Sequence, residues 1–338
     1  MAAPANTPAF EWPAKADKAR LHFVSGKGGT GKSTVAAALA LALAAGGRRV
    51  LLVEVEGRQG IAHQFDLAPL PAAETKIAVA DGGGEVFALA LDIETAFLEY
   101  LDMFYNLGFA GRAMRRIGAV EFATTLAPGL RDVLITGKIK ECVIRTDKSG
   151  VPVYDMVVVD SPPTGRIGSF LDVTKAMADL AKGGPVHSQS EGVVRLLHSD
   201  ETLVHLVTLL EALPVQETTE AAQELEAADL RIGAVIVNRS ATAYLPTKAM
   251  ADAADGVIDA AAVRDGLTAT GITLSDADFA GLLAETIENA STLRAQDESA
   301  ESLDKLDVAR LHLTALTDGV DLGGLYELAE QLAEQGVR

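Results

Sequence analysis

The feature that most constrains the fold is a glycine-rich segment near the amino end of the chain. It reads Gly26-Lys27-Gly28-Gly29-Thr30-Gly31-Lys32-Ser33-Thr34. This run matches the phosphate-binding pattern G-x-x-x-x-G-K-[ST], which occupies the turn between a strand and a helix. An apolar stretch at 21–24 precedes it, and helix-forming residues follow from Val35. The sequence therefore predicts a β-α unit that binds a nucleoside triphosphate.

Phosphate binding accounts for each residue type in this segment. The four glycines allow positive φ and let successive backbone N–H groups converge on phosphate oxygens. Lys32 is predicted to reach the β- and γ-phosphates, and the Ser33 hydroxyl is predicted to bind Mg²⁺. The helix that begins near Ser33 adds unpaired N–H groups and the positive end of its dipole. A purely structural turn would explain the glycines but not Lys32 and Ser33.

Further apolar stretches predict an α/β fold with a doubly wound, mostly parallel sheet. Strands are expected at 49–55, 86–91, 154–160, 203–208, 232–238 and 311–316, and helices at 215–225 and 325–335. Helical spacing predicts a helical insertion at about 92–150 and a second helical segment at about 242–297. Residues 1–18 contain prolines and charges but no long apolar run, and we expect a flexible tail there. Residues 19–338 are then the P-loop ATPase domain.

Charge and cysteine content limit the partners and the compartment. The 47 acidic and 29 basic residues leave a formal charge of −18, which opposes binding to nucleic acid or anionic lipid. No apolar run reaches the ~20 residues that cross a bilayer, so no direct membrane insertion is expected. The single cysteine, Cys142, can form no intramolecular disulfide, which favours a cytoplasmic protein. A local basic stretch at 112–140 is interpreted as a solvated helix face, with a docking patch as the alternative.

A second polar cluster follows the strand at 154–160. It reads Asp160-Ser161-Pro162-Pro163-Thr164-Gly165. An aspartate at the carboxyl end of a strand lies where open α/β sheets bind ligands, and it can hold Mg²⁺ through the metal's water shell. Gly165 would let the following backbone turn an N–H toward the γ-phosphate. We therefore predict Ser33 and Asp160 as the metal-binding residues.

Three segments resemble one family of ATPases. Lys27 resembles the signature lysine of the deviant Walker A class, and residues 160–165 look like the D-x-A-P-T-G segment of the arsenite-pump and tail-anchored-protein-targeting ATPases. Residues 235–239 are similar to the strand of that family that ends in an adenine-recognising asparagine, here Asn238. The resemblance implies ATP and Mg²⁺ as ligands, and a dimer in which Lys27 reaches the partner's nucleotide. The partner is either an identical chain or a related ATPase. As alternatives, Lys27 is a solvated loop charge and Asn238 a turn residue.

The segment after the second strand departs from that family. The family reads D-x-D-P-A-H and then carries an aspartate that orients the attacking water, whereas this chain has Glu54-Val55-Glu56-Gly57-Arg58-Gln59, with His63 at the expected aspartate. A neutral imidazole can accept a proton from water, so His63 is the candidate base, with a structural role as the alternative. We therefore expect hydrolysis that is weak or dependent on a partner.

The cysteine count excludes several metal sites of related proteins. No C-x-x-C pair follows Asn238, and one cysteine cannot form a thiolate zinc site or a cysteine triad for metalloids. Metalloid transport is therefore disfavoured. The family also uses its helical insertion as an apolar groove for a client's membrane helix. Candidate groove residues, with an internal core as the alternative, are Phe97, Leu98, Leu101, Met103, Phe104, Tyr105, Leu107 and Phe109.

These observations lead to two main hypotheses. The first is an ATP-hydrolysing dimeric switch that handles a hydrophobic protein client. The second is a non-hydrolysing or very slow nucleotide-binding subunit that stabilises a complex with a related ATPase. A membrane-surface ATPase would need a basic amphipathic helix, often a terminal one. That class is disfavoured because the helix predicted at 325–335 of this chain is acidic.

Overall fold

The computed structural model describes most of the chain. It covers Trp12, Ala16 and residues 18–57, 59–96, 130–168, 170–171, 185–317 and 319–338. The strands are β1 Leu21–Gly26, β2 Arg49–Glu54, β3 Thr75–Val79, β4 Glu85–Ala90, β5 Met156–Asp160, β6 Thr202–Thr208, β7 Ile232–Ser240 and β8 Ala309–Thr314. The helices are α1 Lys32–Ala44, α2 Gly60–Gln64, α3 Leu130–Ile144, α4 Pro185–Leu197, α5 Ala212–Ala227, α6 Thr247–Ala254, α7 Ala260–Ala269, α8 Asp276–Leu303 and α9 Leu322–Glu334.

These strands form one eight-stranded sheet in the order β3-β4-β2-β5-β1-β6-β7-β8. The pairs are parallel except β3–β4, which is antiparallel. The predicted α/β fold with a mostly parallel sheet is therefore confirmed. The sequence analysis missed β3, because this short edge strand is only half-buried and has no continuous apolar run.

Alternate residues of each strand face opposite layers of helices. In β2, Val50 and Leu52 pack toward α1, α2 and α9, whereas Leu51 and Val53 pack toward α3, α4 and α5. Helix α1 is buried from Val35 to Ala44, between the sheet and α9, whereas its first turn is half-buried. Because it is apolar on all sides, α1 is a core helix rather than an amphipathic surface helix.

The order of the strands reverses at β1. Strands β2, β3, β4 and β5 lie on one side of β1, and β6, β7 and β8 lie on the other. Ligands of open α/β sheets bind at the carboxyl ends of the strands, at such a switch point. The glycine-rich segment directly follows β1 and therefore lies at this point.

The predicted helical regions are described in part. Helix α3 lies in the expected insertion, and α6, α7 and most of α8 lie in the second helical segment. The candidate groove residues Phe97 to Phe109 lie outside the described residues, as do Arg112, Arg115 and Arg116 of the basic stretch. Among the helices that are described, none combines the length and the apolar character needed to span a bilayer.

Two residues from the expected tail are buried at the amino end of the sheet. Trp12 stacks on His205 of β6, with ring centroids 5.1 Å apart, and its backbone N–H donates to the carbonyl oxygen of Gln335. Ala16 is also buried. At these two positions the structure differs from the flexible tail predicted for residues 1–18, because the indole covers a pair of buried imidazoles.

Those two imidazoles belong to His22 and His205. Nδ1 of His22 lies 3.1 Å from Nε2 of His205, and Nε2 of His22 lies 3.2 Å from the Ala19 carbonyl oxygen. Since a carbonyl oxygen can only accept, Nε2 of His22 donates to it and Nδ1 accepts from His205 in the neutral pair. Burial lowers the pKa of His22 from 6.5 to about 4, opposed by the bond to Ala19.

We expect this pair to make the folded state sensitive to mild acid. Because the pKa of His22 is lower in the folded state, the unfolded chain binds the proton at a higher pH than the folded chain does. The contribution of neutral His22 to the free energy of unfolding is therefore fully present above pH 6.5 and is lost as the pH falls toward 4. Between pH 7.5 and 5.5 the expected loss through His22 is about 1 kcal/mol. Urea unfolding at both pH values should show a smaller change for His22→Gln than for the unaltered chain. Replacing the exposed His198 by glutamine should leave the change as it is, and equal changes in all three proteins would contradict the prediction.

Candidate functional site

The glycine-rich loop is held in one conformation by contacts on both of its sides. The Thr30 hydroxyl donates to the carbonyl oxygen of Lys27 at 2.9 Å, and Nδ2 of Asn238 donates to the carbonyl oxygen of Thr30 at 2.8 Å. Gly31 has φ +85°, and a Cβ at this position would collide with the Asn238 amide. Only glycine therefore fits residue 31 without strain. The tip of the loop, Gly28 and Gly29, is exposed.

The first turn of α1 presents free backbone donors beside this loop. Gly31 is the N-cap, no side chain accepts from the first turn, and that turn contains no acidic residue. Helix N-termini without a capping side chain bind anions through their N–H groups and positive dipole end. This end of α1 can therefore accept a phosphate group.

Asp160 binds both functional side chains of the first turn. Its Oδ1 lies 2.8 Å from Nζ of Lys32, and its Oδ2 accepts from the Ser33 hydroxyl at 2.6 Å. The carboxylate is 5% exposed and its ion pair with Lys32 is largely shielded from water. The structure thus brings together the three residues that the sequence analysis assigned to phosphate and metal binding.

The segment after Asp160 is tied to the end of β1. The Ser25 hydroxyl donates to the carbonyl oxygen of Pro162 at 2.7 Å, and the Ser161 N–H donates to the carbonyl oxygen of Val24 at 3.0 Å. Gly165 lies in a helical turn that begins at Thr164, is exposed, and has open space where a side chain would be. The contact between the N–H of this turn and the γ-phosphate, expected from the sequence, stays a prediction.

Lys27 is bound within its own chain. Its ammonium lies 2.7 Å from Oε1 of Glu217 on α5, and each side chain is about one-third exposed. The sequence analysis did not anticipate this partner, because 190 residues separate the two positions. Exposed ion pairs stabilise proteins by only about 0–1 kcal/mol, so this contact can exchange readily.

A cavity lies beside the glycine-rich loop, next to β7 and β8. It has a volume of about 360 Å³ and is lined by side chains and backbone that include Thr34, Asn238, Arg239, Thr314, Leu316 and Leu328. This volume falls within the range of about 300–1,000 Å³ that is typical of small-molecule sites. Arg239 has φ +56°, an uncommon conformation for a non-glycine residue, directly after Asn238. The cavity thus lies beside the last residues of β7, where its pairing with β8 shifts register between Val237 and Ser240.

Glu54 is a carboxylate of this region that the sequence analysis did not select. It ends β2, is 2% exposed, and its Oε1 accepts from the Gly60 N–H at 3.0 Å. Its other oxygen, Oε2, is buried and has no hydrogen-bond partner among the described residues. The signal in the sequence was its position at the end of an apolar strand, the same position that Asp160 has in β5.

His63 takes part in none of these described contacts. It is exposed near the end of α2, and its side chain makes no hydrogen bond or ion pair with the described part of the chain. Its assignment as the base that activates water remains a prediction.

Oxygen ligands suit Mg²⁺ at this site, whereas sulfur ligands are absent from it. The Ser33 hydroxyl and the Asp160 and Glu54 carboxylates are hard donors, and Mg²⁺ proteins usually supply one or two carboxylates while phosphates and water complete the shell. Within the described ranges, no group of three or more His, Cys, Asp or Glu side chains is placed to hold a metal ion.

The single cysteine, Cys142, is buried in α3. Burial, and then the neighbouring Glu141, raise the pKa of its thiol to about 12, so the thiol stays protonated and is a poor metal ligand.

The chain is similar to known ATPases. A family model described as "Anion-transporting ATPase" matches residues 19–184. The chain is 69% identical to ATPase BagA of Mycobacterium tuberculosis, over 97% of this chain and 96% of that protein. It is 23% identical to ATPase GET3 of Kluyveromyces lactis, over 64% of this chain and 71% of that protein. It is 24% identical to the arsenical pump-driving ATPase of Acidiphilium multivorum, over 64% of this chain and 38% of that protein.

Proposed function

Because this chain belongs to the anion-transporting ATPase family, we propose that it binds ATP with Mg²⁺ at the loop of residues 26–34 and works as a dimeric switch. The observation that carries the proposal is the contact of Asp160 with both Lys32 and Ser33, at the uncapped end of α1. A lysine, a hydroxyl and free backbone amides there suit a triphosphate, and the carboxylate suits its metal.

Each of these groups has a distinct task in the proposed complex. The amides of the loop and of the first turn of α1 bind phosphate oxygens, and Lys32 moves from Asp160 to the β- and γ-phosphates. Ser33 and Asp160 hold Mg²⁺, directly or through water. The metal, when bound, neutralises charge that develops on the phosphates. Asp160 thus pairs with the Lys32 ammonium before the nucleotide binds and with Mg²⁺ afterwards, so its buried carboxylate has a cation beside it in both states.

The cavity beside Asn238 is the proposed site of the adenine ring. Because Nδ2 of Asn238 already donates to the carbonyl oxygen of Thr30, the amide oxygen is the group available to accept from an adenine amino group. Leu316 and Leu328 supply apolar surface for the faces of the ring. The alternative is that Asn238 only braces the loop. Comparison of GTP with ATP distinguishes the two roles, since guanine has no amino group at that position. Weaker binding of GTP would support recognition of adenine, and equal binding would support the bracing role.

Lys27 is the residue proposed to link nucleotide binding to dimer closure. In a single chain its ammonium is bound to Glu217, so it must leave that carboxylate to reach the nucleotide of a partner. The γ-phosphate of the partner's ATP offers more negative charge than the single carboxylate of Glu217, which is one-third exposed. Glu217 therefore holds Lys27 in the separated state, and ATP in the partner releases it.

Opposite effects are expected from the two members of this pair. Lys27→Ala should spare ATP binding by one chain but weaken ATP-dependent association at least about tenfold, since it removes a charged hydrogen bond of about 1.5–3 kcal/mol. Glu217→Gln should strengthen association a few-fold, because Lys27 no longer has a competing carboxylate. Analytical ultracentrifugation with a non-hydrolysable ATP analogue measures both. Glu220→Gln, one turn away on α5, is the matched control, and association unchanged in Lys27→Ala would contradict the proposed role.

A second candidate function is supported by His63. Because this histidine stands where the family resemblance implies an aspartate, and because it has no described contact with the loop, we expect water activation to be weak in this chain alone. The chain would then be a nucleotide-binding subunit that stabilises a complex with a related ATPase. The client suggested by the family resemblance belongs to the first candidate only.

Calorimetry and turnover measurements test the proposal together. ATP with Mg²⁺ is expected to release heat on binding to the purified chain, and phosphate release measures hydrolysis. Binding with turnover supports the hydrolysing switch, and binding without turnover supports the subunit that stabilises a complex. No binding at millimolar ATP would overturn both.

A further inference from the structure

We infer that Glu54 is a second carboxylate of the magnesium site, which acts beside Asp160 by accepting hydrogen bonds from the water shell of the metal. The inference rests on the proposed function. It adds a residue whose buried charge the described contacts explain only in part.

The sheet places the two carboxylates side by side. Glu54 and Asp160 are Cα partners in the parallel pair β2–β5, and each is the last residue of its strand. Partners in register point to the same face of a sheet. In both strands the preceding residues of the same parity, Leu52 and Val158, pack on the α1 side. Glu54 therefore points toward the layer in which α1 presents Lys32 and Ser33.

Gly60 gives a second measure of this proximity. A Cβ added to Gly60 would lie 3.7 Å from Oγ of Ser33 and 3.8 Å from Oε1 of Glu54. The Ser33 hydroxyl and the Glu54 carboxylate thus border the same small space. A space of this kind, with a hydroxyl and two carboxylates at its edges, suits a metal that keeps several of its waters.

The burial of Glu54 calls for a partner of positive charge. A carboxylate that is 2% exposed is costly unless both oxygens are compensated, and only Oε1 has a hydrogen bond among the described residues. The ammonium in this region, Lys32, is bound to Asp160. Water molecules of a hydrated Mg²⁺ would donate to Oε2 and place a positive charge nearby.

A structural role for Glu54 accounts for part of these observations. The carboxylate fixes the start of α2 by accepting from the Gly60 N–H, which explains Oε1. An uncharged glutamine oxygen would serve that purpose equally well. The role in metal binding requires the charge, and this difference separates the two explanations.

The test measures ATP affinity with and without the metal. Dissociation constants are determined by calorimetry for ATP in excess Mg²⁺ and for ATP in EDTA, with the unaltered chain, Glu54→Gln and Glu85→Gln. Glu85 is the matched control because it begins β4, at the opposite end of the sheet, where Lys76 binds it. Glu54→Gln is expected to weaken binding of Mg²⁺-ATP at least about fivefold, to leave binding of metal-free ATP within about twofold, and to unfold at the same temperature or higher.

The outcomes separate this inference from the proposed function. Equal affinity of Glu54→Gln and the unaltered chain for Mg²⁺-ATP would overturn the role of Glu54 and leave the proposed function intact. Absence of ATP binding by the unaltered chain would overturn both. If Glu54→Gln does not fold, Glu54→Asp keeps the charge on a shorter side chain. It is then expected to lower the gain in affinity that Mg²⁺ provides, and an unchanged gain would overturn the inference.

Discussion

Replacement of Lys32 by alanine is expected to reduce the affinity for Mg²⁺-ATP at least about 100-fold. The ammonium is the one side-chain cation bound to Asp160 among the described contacts, and the change removes charged hydrogen bonds of about 1.5–3 kcal/mol each. Two such bonds to phosphate correspond to about 100-fold or more, since about 1.4 kcal/mol is tenfold. Calorimetric titration of the purified variant with ATP in excess Mg²⁺ measures the change.

A surface lysine provides the control for this experiment. Lys248 on α6 is exposed, and its one ion pair within the part of the chain that the structure describes is with Asp252 one turn away, so Lys248→Ala should bind ATP as the unaltered chain does. Circular dichroism of Lys32→Ala is needed because Asp160 loses its buried cation in this variant. A folded Lys32→Ala chain that binds ATP with unchanged affinity would place the phosphates somewhere other than the loop.

Gly31→Ala is expected to lower the free energy of unfolding by about 2–4 kcal/mol in the absence of nucleotide. The left-handed conformation at φ +85° costs an alanine about 1–2 kcal/mol. The new methyl group also collides with the Asn238 amide and displaces its bond to Thr30, which adds about 1–2 kcal/mol. Urea unfolding monitored by circular dichroism measures the loss.

Gly28→Ala in the same loop is the matched control. Gly28 has no atom within 4 Å of an added Cβ, and it is not among the glycines with positive φ. Its free energy of unfolding should stay within about 0.5 kcal/mol of the unaltered value. Similar stability of Gly31→Ala and Gly28→Ala would mean that the contact between Gly31 and Asn238 does not constrain the loop.

Patterns of adjacent residues made the fold and the centre of the site predictable. The apolar runs that form β2, β5 and β7 are long enough to identify buried parallel strands, and the glycine loop identifies the turn after β1. The resemblance to the arsenite-pump and tail-anchored-protein-targeting ATPases is confirmed by the family to which the chain belongs. Lys32, Ser33 and Asp160 were selected because each belongs to a motif with a fixed place on a strand or helix.

Contacts between distant segments were not predictable in the same way. The pairing of Lys27 with Glu217 depends on where α5 packs, and no local pattern specifies that position. Glu54 was read as a departure from a motif, because its proximity to Asp160 follows from strand order and register. The burial of Trp12 likewise depends on a histidine pair formed by β1 and β6.

The burial of α1 beyond its first turn limits which parts of the molecule can respond to a bound nucleotide. From Val35 to Ala44 this helix has no surface open to water, so we expect that part neither to slide nor to tilt without disrupting its close-packed neighbours. If the proposed hydrolysis takes place, we expect the movement that follows loss of the terminal phosphate in the more exposed segments around this helix, namely Lys27, the turn at Gly165 and the amino end of α5. The proposed switch would then combine a fixed helix that binds the phosphates with exposed segments that change position.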